Sequence, residues 1–307
     1  MRSVRVGVVQ AAPAYLDLGR SLELAAQLAA EAAGRGARLV AFGETWLPGY
    51  PMWLDACRDV AVWDHPAVKE VYARLVANSV TVPGPATDAL GEIARRHEIA
   101  LVMGVHERVE EGAGRGTLYN SLLVFDADGR LAHRHRKLMP TYSERMIWGQ
   151  GDGAGLDSAA TTAGRVGGLI CWEHWMPLAR QAMHAAAEDI HVAAWPWVRE
   201  MHLVASRHYA FEGRTFVLAA GSLGCVRDLP PELEPIPGLS ESPDQLLLRG
   251  GSAIIAPDGR LLAGPVLDEE AILTADLDFE EITKESLTLD VTGHYSRPDV
   301  FDFKVKR

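Results

Sequence analysis

The sequence predicts an α/β protein, and three observations carry that expectation. Apolar residues alternate with period two in short runs, as in Val4-Arg5-Val6-Gly7-Val8. Runs with helical spacing stand between them, the clearest holding Leu18, Leu22, Ala25, Ala29 and Ala32. The chain has 307 residues and 48% hydrophobic content, enough to bury a large core. Periodicity alone also allows a doubly wound sheet.

Residues 4–10 read as the first strand. A helix follows over 18–33, with Asp17 placed to accept from its first amides and Gly34 to end it. Residues 38–42 are the next strand, so the first 42 residues form a β-α-β unit. Right-handed crossover gathers the carboxyl ends of such strands at one edge, where α/β sites form. Helices are expected over 65–78 and 86–97, and strands over 100–105 and 119–125. Asp126-Ala127-Asp128-Gly129 turns the chain into another extended segment, 130–136. A helix is expected over 177–187, with Pro177 tolerated in its first turn. Strand 190–194, helix 201–213 and strands 215–220 and 252–256 complete the series, and Pro257-Asp258-Gly259-Arg260 is a hairpin turn. Residues 227–249 lack periodicity and read as a long surface loop. No repeat or linker divides the chain, so 1–307 is taken as one domain.

The net charge of −11 argues against nucleic acid or an anionic membrane as partner, because both require concentrated Lys and Arg. Cys57, Cys171 and Cys225 are widely spaced and odd in number, which fits neither a disulfide framework nor a zinc site. No run approaches the ~18 apolar residues of a membrane span, and Met1 leads directly into a strand pattern. The expectation is a cytoplasmic protein without cofactor or metal. His133 and His135 share a strand face but lack a third ligand at suitable spacing.

The segments that carry chemistry end apolar runs. Gly167-Gly168-Leu169-Ile170-Cys171-Trp172-Glu173-His174 delivers a thiol to a sharp turn, where backbone N–H groups can lower its pKa and hold an oxyanion. Leu39-Val40-Ala41-Phe42-Gly43-Glu44 ends at a carboxylate. His135-Arg136-Lys137-Leu138-Met139-Pro140-Thr141 supplies a cation, with Glu144 just downstream. Nucleophile, base and cation together are what acyl transfer from a C–N bond requires.

On these motifs, and on matching stretches from Val4-Arg5-Val6-Gly7-Val8-Val9-Gln10 to Gly293-His294-Tyr295-Ser296-Arg297, the chain resembles the nitrilase superfamily of carbon–nitrogen hydrolases, its true nitrilase branch above all. The Cys-Trp-Glu-His run is typical of that branch. The resemblance implies a four-layer α-β-β-α sandwich and a homodimer or higher assembly. It also implies Glu44 as general base, Lys137 as catalytic lysine, Cys171 as nucleophile and Glu144 as the second glutamate beside the lysine. Gly43 departs from the Pro that commonly precedes the glutamate.

The expected reaction takes a small organic nitrile to acid and ammonia through a Cys171 thioimidate and thioester. Glu44 needs a pKa raised by burial to accept the thiol proton. Trp172, Tyr142, Trp195, Trp46 and Tyr50 lie near the catalytic segments in sequence and are expected to line an apolar substrate pocket. Rival readings are an amidase or carbamoylase of the same superfamily, a cyanide dihydratase or hydratase, and a non-catalytic scaffold.

Overall fold

In the computed structural model, which describes residues 3–239 and 241–307, period-two patterning builds two sheets that share one core. The first holds β1 (Ser3–Gln10), β2 (Leu39–Ala41), β3 (Ala100–Arg108), β4 (Leu118–Phe125), β5 (Leu131–Arg136) and β13 (Ala271–Asp278) in the order β13-β1-β2-β3-β4-β5. The second holds β6 (Ala159–Thr161), β7 (Gly164–Ile170), β8 (Ile190–Ala194), β9 (Phe216–Ala220), β10 (Leu223–Cys225) and β11 (Leu246–Ile255) in the order β10-β11-β9-β8-β7-β6. β12 (Leu261–Leu267) pairs with β11. Both sheets are mixed: β1, β2 and β3 run parallel, as do β7, β8 and β9.

Alternation explains the layering. Val4, Val6, Val8, Leu39, Ala41, Ala100, Val102, Leu122 and Val124 point inward, onto Val166, Ile170 and Val192 of the second sheet. Their neighbours Val9, Val40, Phe42, Leu101, Met103 and Leu123 point the other way. They pack there against α1 (Leu18–Gly34) and α4 (Pro85–His97). On the far side, α5 (Pro177–Ala185) and α6 (Glu200–Gly213) cover the second sheet with Ala179, Met183, Ala205 and Tyr209. The layers are therefore helix, sheet, sheet, helix, as the family resemblance implies. A doubly wound single sheet does not form.

The first helix begins at Asp17, whose carboxylate accepts from the Arg20 N–H at 3.0 Å. The chain after Cys171 makes a 3₁₀ turn, Cys171–Trp175, before α5 begins at Pro177, where a helix was expected. Two expectations change. The strand expected over 252–256 starts at Leu246, inside the segment read as a loop. Within the same segment, residues 229–233 are docked through single leucines rather than free at the surface. Leu229 and Leu233 are buried with Trp53, Leu75 and Trp148, alongside α2 (Trp53–Ala56) and α3 (Pro66–Ala77). Arg74 of α3 holds Glu232 through two hydrogen bonds of 2.9 Å. α7 (Glu280–Glu285) follows β13, which pairs antiparallel with β1 at the sheet edge.

Candidate active site

Three strand ends meet where the two sheets face each other. Beyond β2, the Phe42 N–H still bonds Val102 O at 2.9 Å, and the Glu44 N–H reaches across to Trp195 O at 3.1 Å. The intervening residue must be small: a Cβ on Gly43 would lie 2.7 Å from Ser222 Oγ and 3.0 Å from Trp195 O. That crowding accounts for glycine before the carboxylate. Lys137 follows β5, its N–H bonded to Asn120 O at 2.8 Å. Cys171 follows β7 in the left-handed region with φ +54°, a strained conformation for a residue with a Cβ. It turns the thiol out of the sheet and into the gap.

Lys137 Nζ donates to Glu44 Oε1 at 2.8 Å and to Glu144 Oε2 at 2.6 Å, with all three side chains buried. Carboxylate oxygens of Glu44 and Glu144 and the Cys171 sulfur lie within 4.8 Å of one another. Such a donor set could suit a metal ion, but the lysine ammonium already supplies the positive charge between the carboxylates. Glu144 sits on the 3₁₀ turn Tyr142–Met146 and is fixed by the Thr141 N–H at 2.6 Å and the Tyr50 hydroxyl at 2.9 Å. Glu44 Oε1 also accepts from Asn120 Nδ2 at 2.6 Å. Among the described residues, Glu44 Oε2 has no hydrogen-bond partner. The Glu44 carboxyl also stands against the Cys171 thiol.

Burial dominates the electrostatics. It raises the Glu44 carboxyl to about 7, against the pull of the Lys137 ammonium. Burial works against charge on Lys137 too, but Glu44, Cys171 and Glu144 outweigh it and hold the ammonium above its usual range. The Cys171 thiol moves the other way from the sequence expectation. Burial and the adjacent Glu44 push it well above an ordinary thiol, despite its place at the head of a turn. The sulfur is therefore a thiol at rest, and a base poised near neutrality stands beside it.

Two supporting residues went unrecognised in the sequence. Asn120 fixes the base, as described. Glu173 is buried and accepts from the Leu138 N–H at 2.8 Å, the Ile170 N–H at 2.8 Å and the His135 ring at 2.9 Å. Burial would raise its pKa, but His135 and the two amides overcome that and lower it. One carboxylate thus ties the lysine segment to the cysteine elbow. Its position two residues after the thiol was the only sequence signal.

A cavity of about 390 Å³ opens over this cluster, with Cys171, Glu144 and Tyr50 in its wall. Trp172 and Tyr142 line it as well and are 54% and 83% exposed, so they stand at its rim. Trp46 and Trp195 do not line it. Trp46 is fully buried under the first sheet, its indole N–H on Ala11 O at 2.9 Å. Trp195 is fully buried and stacks on His174 and His202. Ile236, Leu239, Leu247 and Leu248, from the segment read as a loop, supply an apolar wall instead.

The carbon–nitrogen hydrolase family model matches residues 5–284. The chain is 42% identical over 308 residues to the bifunctional nitrilase/nitrile hydratase NIT4A of Lupinus angustifolius, covering 99% of this chain and 86% of that one. It is 40% identical to the aliphatic nitrilase of Sinorhizobium fredii, covering 99% and 96%. The fold matches a carbon–nitrogen hydrolase from Helicobacter pylori with TM-score 0.71 at 20% identity, covering 97% of each chain. It also matches Saccharomyces cerevisiae Nit3 with TM-score 0.72 at 19% identity, covering 96% of this chain and 97% of that one.

Proposed function

The chain belongs to the carbon–nitrogen hydrolase family, and from that premise we propose that it is a nitrilase converting an organic nitrile and two waters to a carboxylic acid and ammonia. The observation that carries this reading is the buried Glu44–Lys137–Glu144 cluster set against the Cys171 sulfur on the wall of a largely apolar cavity.

Glu44 takes the thiol proton as sulfur attacks the nitrile carbon, so the thiolate exists only while it reacts. The nitrile nitrogen gains negative charge from the attacking sulfur; the Lys137 ammonium stabilises that charge and gives the nitrogen its proton, and takes the thiol proton from Glu44 across their 2.8 Å hydrogen bond, while the N–H of Trp172 adds a donor. Glu144 holds the ammonium in place. Water then adds to the thioimidate carbon with Glu44 as base. Departure of ammonia gives a thioester, and a second water releases the acid and restores the thiol.

The tetrahedral species formed by the first water carries both nitrogen and sulfur. Loss of the amine leads to acid, and loss of thiolate leads to amide. Similarity to relatives named as bifunctional nitrilase/nitrile hydratase supports some amide release here as well. We further read the chain as one domain that self-associates.

The test is product analysis with phenylacetonitrile and phenylacetamide. Ammonia and phenylacetic acid from the nitrile are expected, with phenylacetamide as a minor product. Turnover of the amide alone would overturn the proposal, and formate or formamide from cyanide would point to the narrower cyanide reaction.

A further inference from the structure

Behind the nucleophile lies a line of buried side chains that the reaction above does not use. His174 Nδ1 is 2.8 Å from Cys171 O. Its Nε2 is 3.0 Å from His191 Nε2. His191 Nδ1 is 2.9 Å from Glu188 Oε1, and the Tyr209 hydroxyl donates to Glu188 Oε2 at 2.6 Å. Both imidazoles are almost wholly buried, with His191 stacked on Tyr209 at 3.7 Å and His174 on Trp195 at 4.7 Å.

With burial keeping both imidazoles neutral, donor and acceptor bookkeeping fixes the protons along this line. A carbonyl only accepts, so His174 Nδ1 carries a hydrogen. Neutral His174 then presents a lone pair at Nε2, and His191 must donate from its own Nε2. Neutral His191 therefore presents a lone pair at Nδ1, toward a carboxyl group. That contact is a hydrogen bond only if Glu188 is protonated.

We propose that Glu188, as a neutral acid, is a positioning residue: its proton sets the tautomers of His191 and His174, and through them the hydrogen bond that holds the Cys171 carbonyl. The strained backbone at Cys171 needs such a hold, because nothing in the residue itself favours φ +54°. Loss of the Glu188 proton reverses the line. His191 moves its hydrogen to Nδ1 to meet the carboxylate, His174 moves its own to Nε2, and Nδ1 turns a lone pair on Cys171 O. One proton leaves to solvent and the others only change nitrogen.

The surroundings agree with a neutral acid. Burial raises Glu188 to about 8, partly offset by Tyr209, His184 and His135. It also lowers His174 to about 3 and His191 well below an ordinary imidazole. The groups facing the line are His184 and Arg180 from α5, His202, Tyr209 and Glu212 from α6, His135 from β5, and Glu173. Arg180 and Glu212 are bonded to each other at 2.7 Å, and Arg180 also holds His174 O at 3.0 Å. Glu188 lines a second cavity, of about 230 Å³, with Asp189, Arg214 and Asp290, which gives its proton a route out.

The inference rests on Cys171 as nucleophile, and its test separates the two. With phenylacetonitrile, the wild type should lose kcat as pH rises through about 8, while KM holds. Glu188→Gln donates to His191 Nδ1 and accepts from Tyr209 as the acid does, so it should keep kcat within a few-fold at neutral pH and lose the alkaline limb. Glu188→Leu, which cannot donate, should lower kcat by roughly 10–100-fold, as small displacements of reacting groups do. An unchanged alkaline limb in Glu188→Gln would overturn the proposal. Nitrogen-15 NMR of the histidines in the wild type needs neither substrate nor variant. It should show His174 protonated at Nδ1 and His191 at Nε2 at neutral pH, with both reversing above about 8. Fixed tautomers across that range would overturn the proposal whatever the enzyme hydrolyses, and reversal without a rate change would remove the positioning role.

Discussion

As the proposed base, Glu44 sets the acid side of the expected rate profile. Its carboxyl is raised to about 7, and only the ionised form accepts a proton from sulfur. kcat/KM should therefore fall about tenfold per pH unit below that value, measured as initial ammonia release, and rise toward a maximum above it before the alkaline loss expected near pH 8. Glu44→Gln removes the base and should cost about 10²–10⁴-fold in kcat. Cys171 and Glu44 stood out because each ends an apolar run, but Lys137 and Glu144 were legible only through the family resemblance. The thiol pKa was not legible. The sequence showed the turn whose amides favour a thiolate, but the depth of burial and the adjacent carboxylate come from another sheet. Trp46 and Trp195 misled for a related reason: nearness in sequence to a motif does not say which side of a sheet an indole occupies.

Helices α5 and α6 are joined by Glu212, which bonds Arg180 at 2.7 Å and His184 at 3.1 Å. Burial opposes its charge, but His184 and Arg180 overcome it and lower the carboxyl to about 2. A folded-state pKa below the unfolded one contributes stability above the unfolded value, which is lost as pH falls through the folded value. Glu212→Gln should thus be destabilised by about 1–3 kcal/mol near neutrality. That deficit should shrink as pH drops from about 4.5 to about 2, followed by urea melts. Strands and helices with clear period were anticipated nearly throughout. β6, β10, α2, α7 and β13 were not, because the first four are short and the last alternates weakly. The docking of residues 229–233 escaped because single leucines set onto α2 and α3 leave no periodic trace.

The outer helix layer leaves Leu178, Met201 and Val204 exposed at 70%, 58% and 49%. Apolar groups so placed fit the proposed self-association. Sedimentation equilibrium should give a mass that is a multiple of 33.4 kDa, and a single-chain mass at micromolar concentration would remove that part of the proposal. The α/β class was readable from periodicity. The stacking of two sheets was not, because it depends on which inward faces meet. Only the family resemblance supplied it.

Base and ammonium hang from the first sheet, the sulfur from the second, and the Glu44 amide is pinned to Trp195 across the join. Turnover is consequently a gauge of how far apart the two halves of the sandwich stand. Warming that lets them breathe by a fraction of an ångström should silence the enzyme while its circular dichroism still reads native.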